Sequence, residues 1–175
     1  KDLGLPKERE LAGVYHGAFD DAPRFAGQDV VVAGGGEAAA HQALQLSRYA
    51  RQVTVICRGS GLNAISPLRQ AISRRANIKL LRGAVVTALH GRTILSSVSI
   101  LHSRTGRERE LDSSALFVLI GKAPETALLR WKNPPSGFFL AGDIRQGRYR
   151  QVAVAAGDGI RAAMDCERFL RGNRQ

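Results

Sequence analysis

Residues Asp29–Arg58 read DVVVAGGGEAAAHQALQLSRYARQVTVICR. An apolar run (Val30, Val31, Val32, Ala33) stops at three glycines, a helical pattern follows, and a second apolar run through Val53, Val55 and Ile56 ends in Cys57-Arg58. The order predicts strand, tight turn, helix, strand. Gly34-x-Gly36-x-x-Ala39 falls where the first strand gives way to the helix, which is where the G-x-G-x-x-G/A pattern of dinucleotide-binding βαβ units requires it. Each small residue has a physical task. Gly34 turns the chain sharply out of the strand, Gly36 lets the backbone approach a pyrophosphate, and Ala39 lets the helix lie close on the sheet. The helix N-terminus then offers unpaired N–H groups and a positive dipole end to phosphates. A glycine-rich turn in an ordinary α/β protein is the alternative, and the strand and helix that frame these glycines weigh against it. Gly34, Gly35, Gly36, Glu37, Ala38 and Ala39 form the expected phosphate-binding turn.

The end of the second strand speaks to the choice of dinucleotide. An NAD-selective site places an Asp or Glu about 20 residues beyond the glycines, where it accepts hydrogen bonds from the ribose. Cys57 and Arg58 hold that place, and no acid occurs between Glu37 and Glu108, an interval rich in arginine. A guanidinium at the strand end suits a 2′-phosphate through charge-assisted, bidentate hydrogen bonds. NADP(H) is therefore expected over NAD(H), with Arg58 as its reader; a solvated surface charge is the competing reading of Arg58. Cys57 reads as a small apolar group packed at the strand end.

Composition bounds the rest. A chain of 175 residues is long enough for one good core and short for two, and a hydrophobic fraction of 44% fits a globular protein. No apolar run approaches the length of a membrane span. The N-terminal residues Lys1 to Glu8 lack a signal-peptide core. Two cysteines, Cys57 and Cys166, do not make a disulfide framework, so a cytoplasmic location is expected. A net charge of +11 is compatible with a nucleic-acid binder, but the arginines are scattered without aromatic partners for base stacking, and no nucleic-acid motif accompanies them. The expected partners therefore include a dinucleotide, with no nucleic acid and no membrane. None of His16, His41, His90 and His102 stands at metal-ligand spacing.

Outside the first βαβ unit, Lys1 to Gln28 reads as a connector punctuated by glycine and proline. Ser66-Pro67 supplies an N-cap and an N1 proline for a helix through LRQAISRRA. A short strand is expected at Ile78 to Leu81, followed by three antiparallel strands, Ala84 to His90, Thr93 to His102 and Arg107 to Leu111. Ala115 to Ile120 reads as a buried parallel strand, Gly137 to Ala141 as another strand, and Gln151 to Leu170 as a long helix with Val152, Ala156, Ile160, Ala163 and Phe169 as its apolar stripe. The fold class is α/β: a Rossmann-like NAD(P)-binding domain with a parallel sheet and a three-stranded antiparallel meander.

The run GVY…GQDVVVAGGGEAA…VTVICRGSG…ALFVLIGKAPET…GFFLAGDIRQGRYRQVAVAAGDG resembles the low-molecular-weight thioredoxin-reductase branch of the pyridine nucleotide-disulfide oxidoreductases, along nearly the whole chain. AGD followed by RQVA and an alanine/glycine-rich helix is its most specific part. The resemblance implies a connector at residues 1–12, an NADP(H)-binding domain at 13–126 and a returning segment of an FAD-binding domain at 127–175. It implies that Asp143 hydrogen-bonds the flavin ribityl chain, that Arg150, Gln151 and Val152 lie against the flavin ring, and that Ile120 and Gly121 sit beside the bound NADPH. Arg58 matches one of the family's 2′-phosphate arginines.

The departures from that pattern matter as much. The family's first FAD-binding unit has no counterpart within these residues, so FAD is expected only where the missing flavin-binding half is supplied. The redox C-x-x-C would fall at Gly17 to Asp20, which here reads Gly-Ala-Phe-Asp. Gly59 and Asn63 stand where the usual pattern has further phosphate-binding arginines, and the LLRWKNPPSG link is short. The leading expectation is the NADPH-binding portion of an FAD-dependent oxidoreductase that passes hydride from NADPH to flavin without a dithiol relay, inactive as this chain alone. A non-catalytic NADP(H)-binding or partner-docking module is the alternative. A homodimer, or a separate polypeptide carrying the flavin half, would cover the C-terminal segment; the electron acceptor is not specified.

Overall fold

A computed structural model describes residues 1–17, 20–124, 126, 129, 135–145 and 150–172. The chain divides into two compact units, Lys1–Gly121 and Lys122–Gln175.

The first unit is built on a parallel five-stranded sheet. Its strands are β1 (Val14–His16), β2 (Asp29–Ala33), β3 (Gln52–Cys57), β4 (Ile78–Arg82) and β8 (Ala115–Val118), in the spatial order β1-β8-β2-β3-β4. Helix α1 (Glu37–Leu46) connects β2 to β3, and α2 (Ser66–Ser73) lies between β3 and β4. A second, antiparallel sheet of order β5-β6-β7 comprises β5 (Ala84–Gly91), β6 (Leu95–His102) and β7 (Glu108–Asp112).

Alternation along the parallel strands sorts their side chains into two layers. Val30, Val32, Val53, Val55, Ala115 and Phe117 face the helices, where Ala39, Ala40, Ala43 and Leu46 of α1 meet them. Val31, Ala33, Ile56, Leu116 and Val118 face the other way, onto Ala84, Val86, Leu95, Val98 and Ile100 of the meander. A sheet covered on both faces explains why its strands read as continuous apolar runs rather than as alternating ones. Two of the three consecutive alanines at 38–40 serve the same packing: Ala39 and Ala40 are fully buried, so α1 lies close on the sheet.

Several sequence expectations are corrected. The stretch taken as a connector contributes β1, an edge strand paired with β8 from Val14↔Leu116 to His16↔Val118, and a short 3-10 turn at Ala22–Phe25. Three residues are too few to show a period, and β1 is held by tertiary packing: Tyr15 stacks on Phe117 with centroids 5.2 Å apart, and Phe25 meets Phe117 edge-on at 5.3 Å. Helix α2 begins at Ser66 with extended Ile65 as its N-cap and no side-chain cap, so Ser66 is not the cap. Gly137 to Ala141 joins no ladder among the described residues. An apolar run makes a strand only where a neighbouring strand takes up its N–H and C=O groups.

The second unit centres on α3 (Val152–Gly172). Its half-buried face runs through Ala155, Asp158, Ala162, Asp165, Cys166 and Phe169. Phe139 packs edge-on against Phe169, and Arg145 binds Asp158 at 2.7 Å. The expected stripe is therefore displaced: apart from Phe169, its members lie on the open side, with Val152 at 87% and Ile160 at 65% exposure. Sequence spacing identifies an apolar stripe on a helix; which stripe is covered depends on what packs beside it.

Candidate functional site

The sheet order places a topological switch point between β2 and β8: the chain leaves β2 toward β3 and β4 on one side and returns through β8 on the other. Open α/β sheets bind ligands in the crevice at the carboxyl ends of the strands flanking such a point. Gly34 begins the turn at the end of β2, and Leu119, Ile120 and Gly121 follow the end of β8. The two chain ends are in intimate contact. Leu119 N–H donates to Ala33 O at 2.7 Å, and Gly34 N–H donates across to Ile56 O of β3 at 2.9 Å.

Gly34 has φ of +150°, and a Cβ there would lie 2.4 Å from the Leu119 carbonyl oxygen. No side chain fits between the two strand ends. Gly35 lies over β3, where a Cβ would come 3.1 Å from the Cys57 Cβ. Gly36 is different: it is the N-cap of α1, in extended conformation with φ of −92°, and a Cβ would meet nothing within 4 Å. The space in front of Gly36 is open, and no side chain caps α1. The leading N–H groups of this helix, at Glu37, Ala38 and Ala39, face the crevice end with the positive end of the helix dipole behind them. Glu37 and Ala38 are exposed and Ala39 is buried, so the first two border the opening while the third seats the helix.

Arg58 follows directly on the end of β3 and is exposed. The Gly59–Ala64 loop folds back toward the glycine turn: Asn63 N–H donates to Gly35 O at 2.6 Å, and Gly36 and Asn63 form an isolated parallel bridge. Cys57 is 1% exposed with its thiol 3.6 Å from Leu81 O. Burial pushes this thiol up from its ordinary range, and the nearby Arg82 guanidinium only partly opposes the shift. It is a packed group at the strand end, as the sequence suggested.

The structure thus brings Gly34, Gly35, Gly36, Glu37, Ala38, Ala39, Arg58, Ile120 and Gly121 to the carboxyl edge of one sheet. Asp143, Arg150, Gln151 and Val152 belong to the second unit. There Asp143 lies in a 3-10 turn at Gly142–Ile144, and Arg150 and Gln151 immediately precede α3, which opens at Val152. Arg150 Nε is buried without a hydrogen-bond partner among the described residues. Ala18 and Phe19 of the Gly17–Asp20 stretch, and residues 130–134 of the link, lie outside the described residues.

The family described as pyridine nucleotide-disulphide oxidoreductase matches residues 3–134. The chain belongs to that family. It is thioredoxin-reductase-like: a thioredoxin reductase from Streptomyces clavuligerus is 34% identical over 97% of this chain and 59% of its own length. The crystal structure of Lactococcus lactis thioredoxin reductase superposes with a TM-score of 0.84 at 27% identity, covering 98% of this chain and 63% of that one. The thioredoxin reductase of T. acidophilum gives a TM-score of 0.81 at 28% identity, over 95% of this chain and 61% of its own. The family member described here therefore spans about three fifths of the length of these relatives.

One cluster escaped the sequence reading. Buried Glu8 accepts hydrogen bonds from the backbone N–H groups of Leu3, Gly4 and Leu5 at 2.8, 2.9 and 3.2 Å, and its Oε1 lies 2.9 Å from His16 Nε2. Burial resists the charge on Glu8, and the four hydrogen bonds outweigh it, so the carboxyl is held below its ordinary range. Asp2 stands 3.8 Å from His16 and binds Arg9. With its lone pairs taken by backbone and imidazole, Glu8 acts as a clasp for residues 1–11. No spacing rule finds it, because three of its four partners are main-chain groups.

Proposed function

We propose that residues 13–126 bind NADP(H), that residues 127–175 are the returning segment of an FAD-binding domain, and that the chain serves an oxidoreductase passing hydride from NADPH to flavin without a dithiol relay. The observation that carries this reading is the uncapped N-terminus of α1 opening, across Gly36, into the crevice at the β2–β8 switch point. The residues present fit a dinucleotide. Gly36 leaves room that a side chain would fill, and the α1 N–H groups donate to pyrophosphate oxygens. Arg58 supplies a fork of donors for a 2′-phosphate. Ile120 and Gly121 border the other half of the crevice, where a nicotinamide ring would lie.

NADPH, when bound, supplies a hydride from its nicotinamide ring, and the protein contributes position and electrostatics rather than a general acid or base. Asp143, Arg150, Gln151 and Val152 are assigned to FAD, an assignment supported by the unsatisfied Nε of Arg150 beside the start of α3. The absence of a relay rests on Gly17 to Asp20 lacking cysteine and on the burial of Cys57.

Titration of the chain with NADPH and NADH at fixed salt tests the first part. The expected result is tighter binding of NADPH, with Arg58→Ala eroding NADPH affinity more than NADH affinity. Equal losses for both would remove Arg58 as the 2′-phosphate reader, and no binding of either would end the dinucleotide reading.

A second reading, a docking module without catalysis, is favoured by the open side of α3. Val152, Val154, Ile160, Met164 and Leu170 are all exposed there. A separate flavin-binding polypeptide or a second copy of the chain would bury them. Sedimentation of the chain alone separates these partners, since only self-association shows a concentration-dependent dimer.

A further inference from the structure

Beside Arg58, the segment that follows β3 is poor in charge: Gly59, Ser60, Gly61, Leu62 and Asn63 carry none. A phosphate monoester approaches two negative charges near neutral pH, and one exposed guanidinium neutralises half of them. The next strand over brings a second cation to the same edge. β3 and β4 run parallel in the register Cys57↔Arg82, which sets these residues side by side at about 4.8 Å between strands. Beyond them the pairing continues, with Gly83 N–H donating to Gly59 O at 3.0 Å. Gly35, Cys57 and Arg82 therefore lie in line across three successive strand ends, the first pair separated by contact distance.

Parity fixes the face. Val53 and Val55 point to the layer of α1 and α2, and Cys57 continues that alternation. Leu80 packs against the same layer, and Arg82, two residues on, shares its parity; at the end of the edge strand it also borders a cavity with Leu81, Ala84, Ile100 and His102. The influence of Arg82 on the buried Cys57 thiol agrees with this closeness. Among the described residues, neither Arg58 nor Arg82 has an acidic partner, and both are exposed. Two guanidinium groups without an acidic partner, at adjacent strand ends on the edge that carries the glycine turn, can together offer donors to a dianion.

We propose that Arg82 is a specificity-determining residue that holds the 2′-phosphate of NADP(H) jointly with Arg58. The assignment rests on the dinucleotide reading of the crevice. It is a local claim, distinct from general basicity. Arg107 and Arg109 offer the comparison, because they line the same cavity of about 610 Å³ that Arg82 borders but belong to the meander rather than to the strand ends of the parallel sheet.

The test is equilibrium titration of the full chain with NADPH, NADH, adenosine 2′,5′-bisphosphate and AMP, for wild type, Arg82→Ala, Arg82→Lys and the double variant Arg107→Ala/Arg109→Ala. Losing one charge-assisted contact is expected to weaken NADPH and the bisphosphate about tenfold, and NADH and AMP less than about twofold. Arg82→Lys keeps part of the preference, and the double variant keeps the wild-type NADPH:NADH ratio. An Arg82→Ala protein with the wild-type ratio overturns the assignment while leaving the dinucleotide site standing. A ratio reduced as much by the double variant overturns it too, in favour of diffuse charge. Wild type that binds none of the four overturns the crevice reading, and the role of Arg82 with it. Because Arg82 is exposed, an unchanged urea midpoint for Arg82→Ala is the expected check that the fold is intact.

Discussion

Gly34 and Gly36 are two residues apart in one turn, yet alanine at the two positions should have opposite consequences. At Gly34, a methyl group is driven to 2.4 Å from the Leu119 carbonyl oxygen at a φ of +150°. Neither strand end can yield easily, since Leu119 N–H is bonded to Ala33 O at 2.7 Å and Gly34 N–H to Ile56 O at 2.9 Å. The backbone strain costs about 1–3 kcal/mol. Overpacking adds about 1–3 kcal/mol. The stiffer unfolded chain returns about 0.4–1 kcal/mol. Gly34→Ala should therefore lose about 2–5 kcal/mol, a large share of the roughly 5–15 kcal/mol that stabilises a typical domain. At an m-value of about 2 kcal/mol/M, the urea midpoint falls by about 1–2.5 M.

Gly36→Ala meets nothing within 4 Å, at an ordinary φ of −92°. A poorer N-cap costs a few tenths to about 1 kcal/mol, and the unfolded-state gain cancels about the same amount. Its midpoint should stay within about 0.3 M of wild type. The new methyl instead occupies the opening in front of α1, so NADPH affinity should drop at least about tenfold. Urea unfolding followed by far-UV circular dichroism, paired with NADPH titration, reads both effects. Wild-type stability for Gly34→Ala would refute the close-approach argument. A Gly36→Ala protein destabilised as much as Gly34→Ala, or binding NADPH normally, would refute the view that this glycine is there for a ligand.

Glu8→Gln should lower stability by about 1–2 kcal/mol, because the amide puts a donor where a backbone N–H needs an acceptor. A carboxyl with its folded pKa below its unfolded value, about 4.3, binds fewer protons folded than unfolded. Its contribution is complete above that value and disappears as pH falls through the folded one, so urea midpoints of wild type should decline below about pH 4.5 more steeply than those of Glu8→Gln. Identical acid slopes would mean that the clasp does not hold a charge. Arg51 makes a two-pronged contact with Asp29 at 2.8 and 2.7 Å, but its side chain is 70% exposed. Arg51→Ala should leave the urea midpoint unchanged, and a clear loss would show this pair to be structural. Phe117→Ala, which empties a fully buried position between Tyr15 and Phe25, should cost about 3–5 kcal/mol and loosen β1, visible as faster amide exchange at Val14–His16.

What could be read from sequence alone was what local chemistry encodes. The period of the apolar residues located β2, α1, β3, β4, the meander and β8, because a sheet covered on both faces demands long apolar strands and an amphipathic helix demands its own spacing. The glycine turn was legible for the same reason: Gly34 answers to a steric demand that no other residue meets, and Gly36 leaves the space in front of α1 open. Tertiary structure alone decided the rest. β1 exists because Phe117 and β8 provide a ladder and a stacking surface, neither visible in three residues. Gly137 to Ala141 has strand composition but joins no ladder among the described residues. The covered face of α3 is set by Phe139 and Arg145 rather than by the helix's most apolar stripe. Three of the four partners of Glu8 are backbone groups, which have no letter in a sequence. Arg82 stands 24 residues from Arg58, and only the register Cys57↔Arg82 places them at one edge. Side-chain spacing determines which face an element can bury, whereas strand register and the packing partner determine what that face meets.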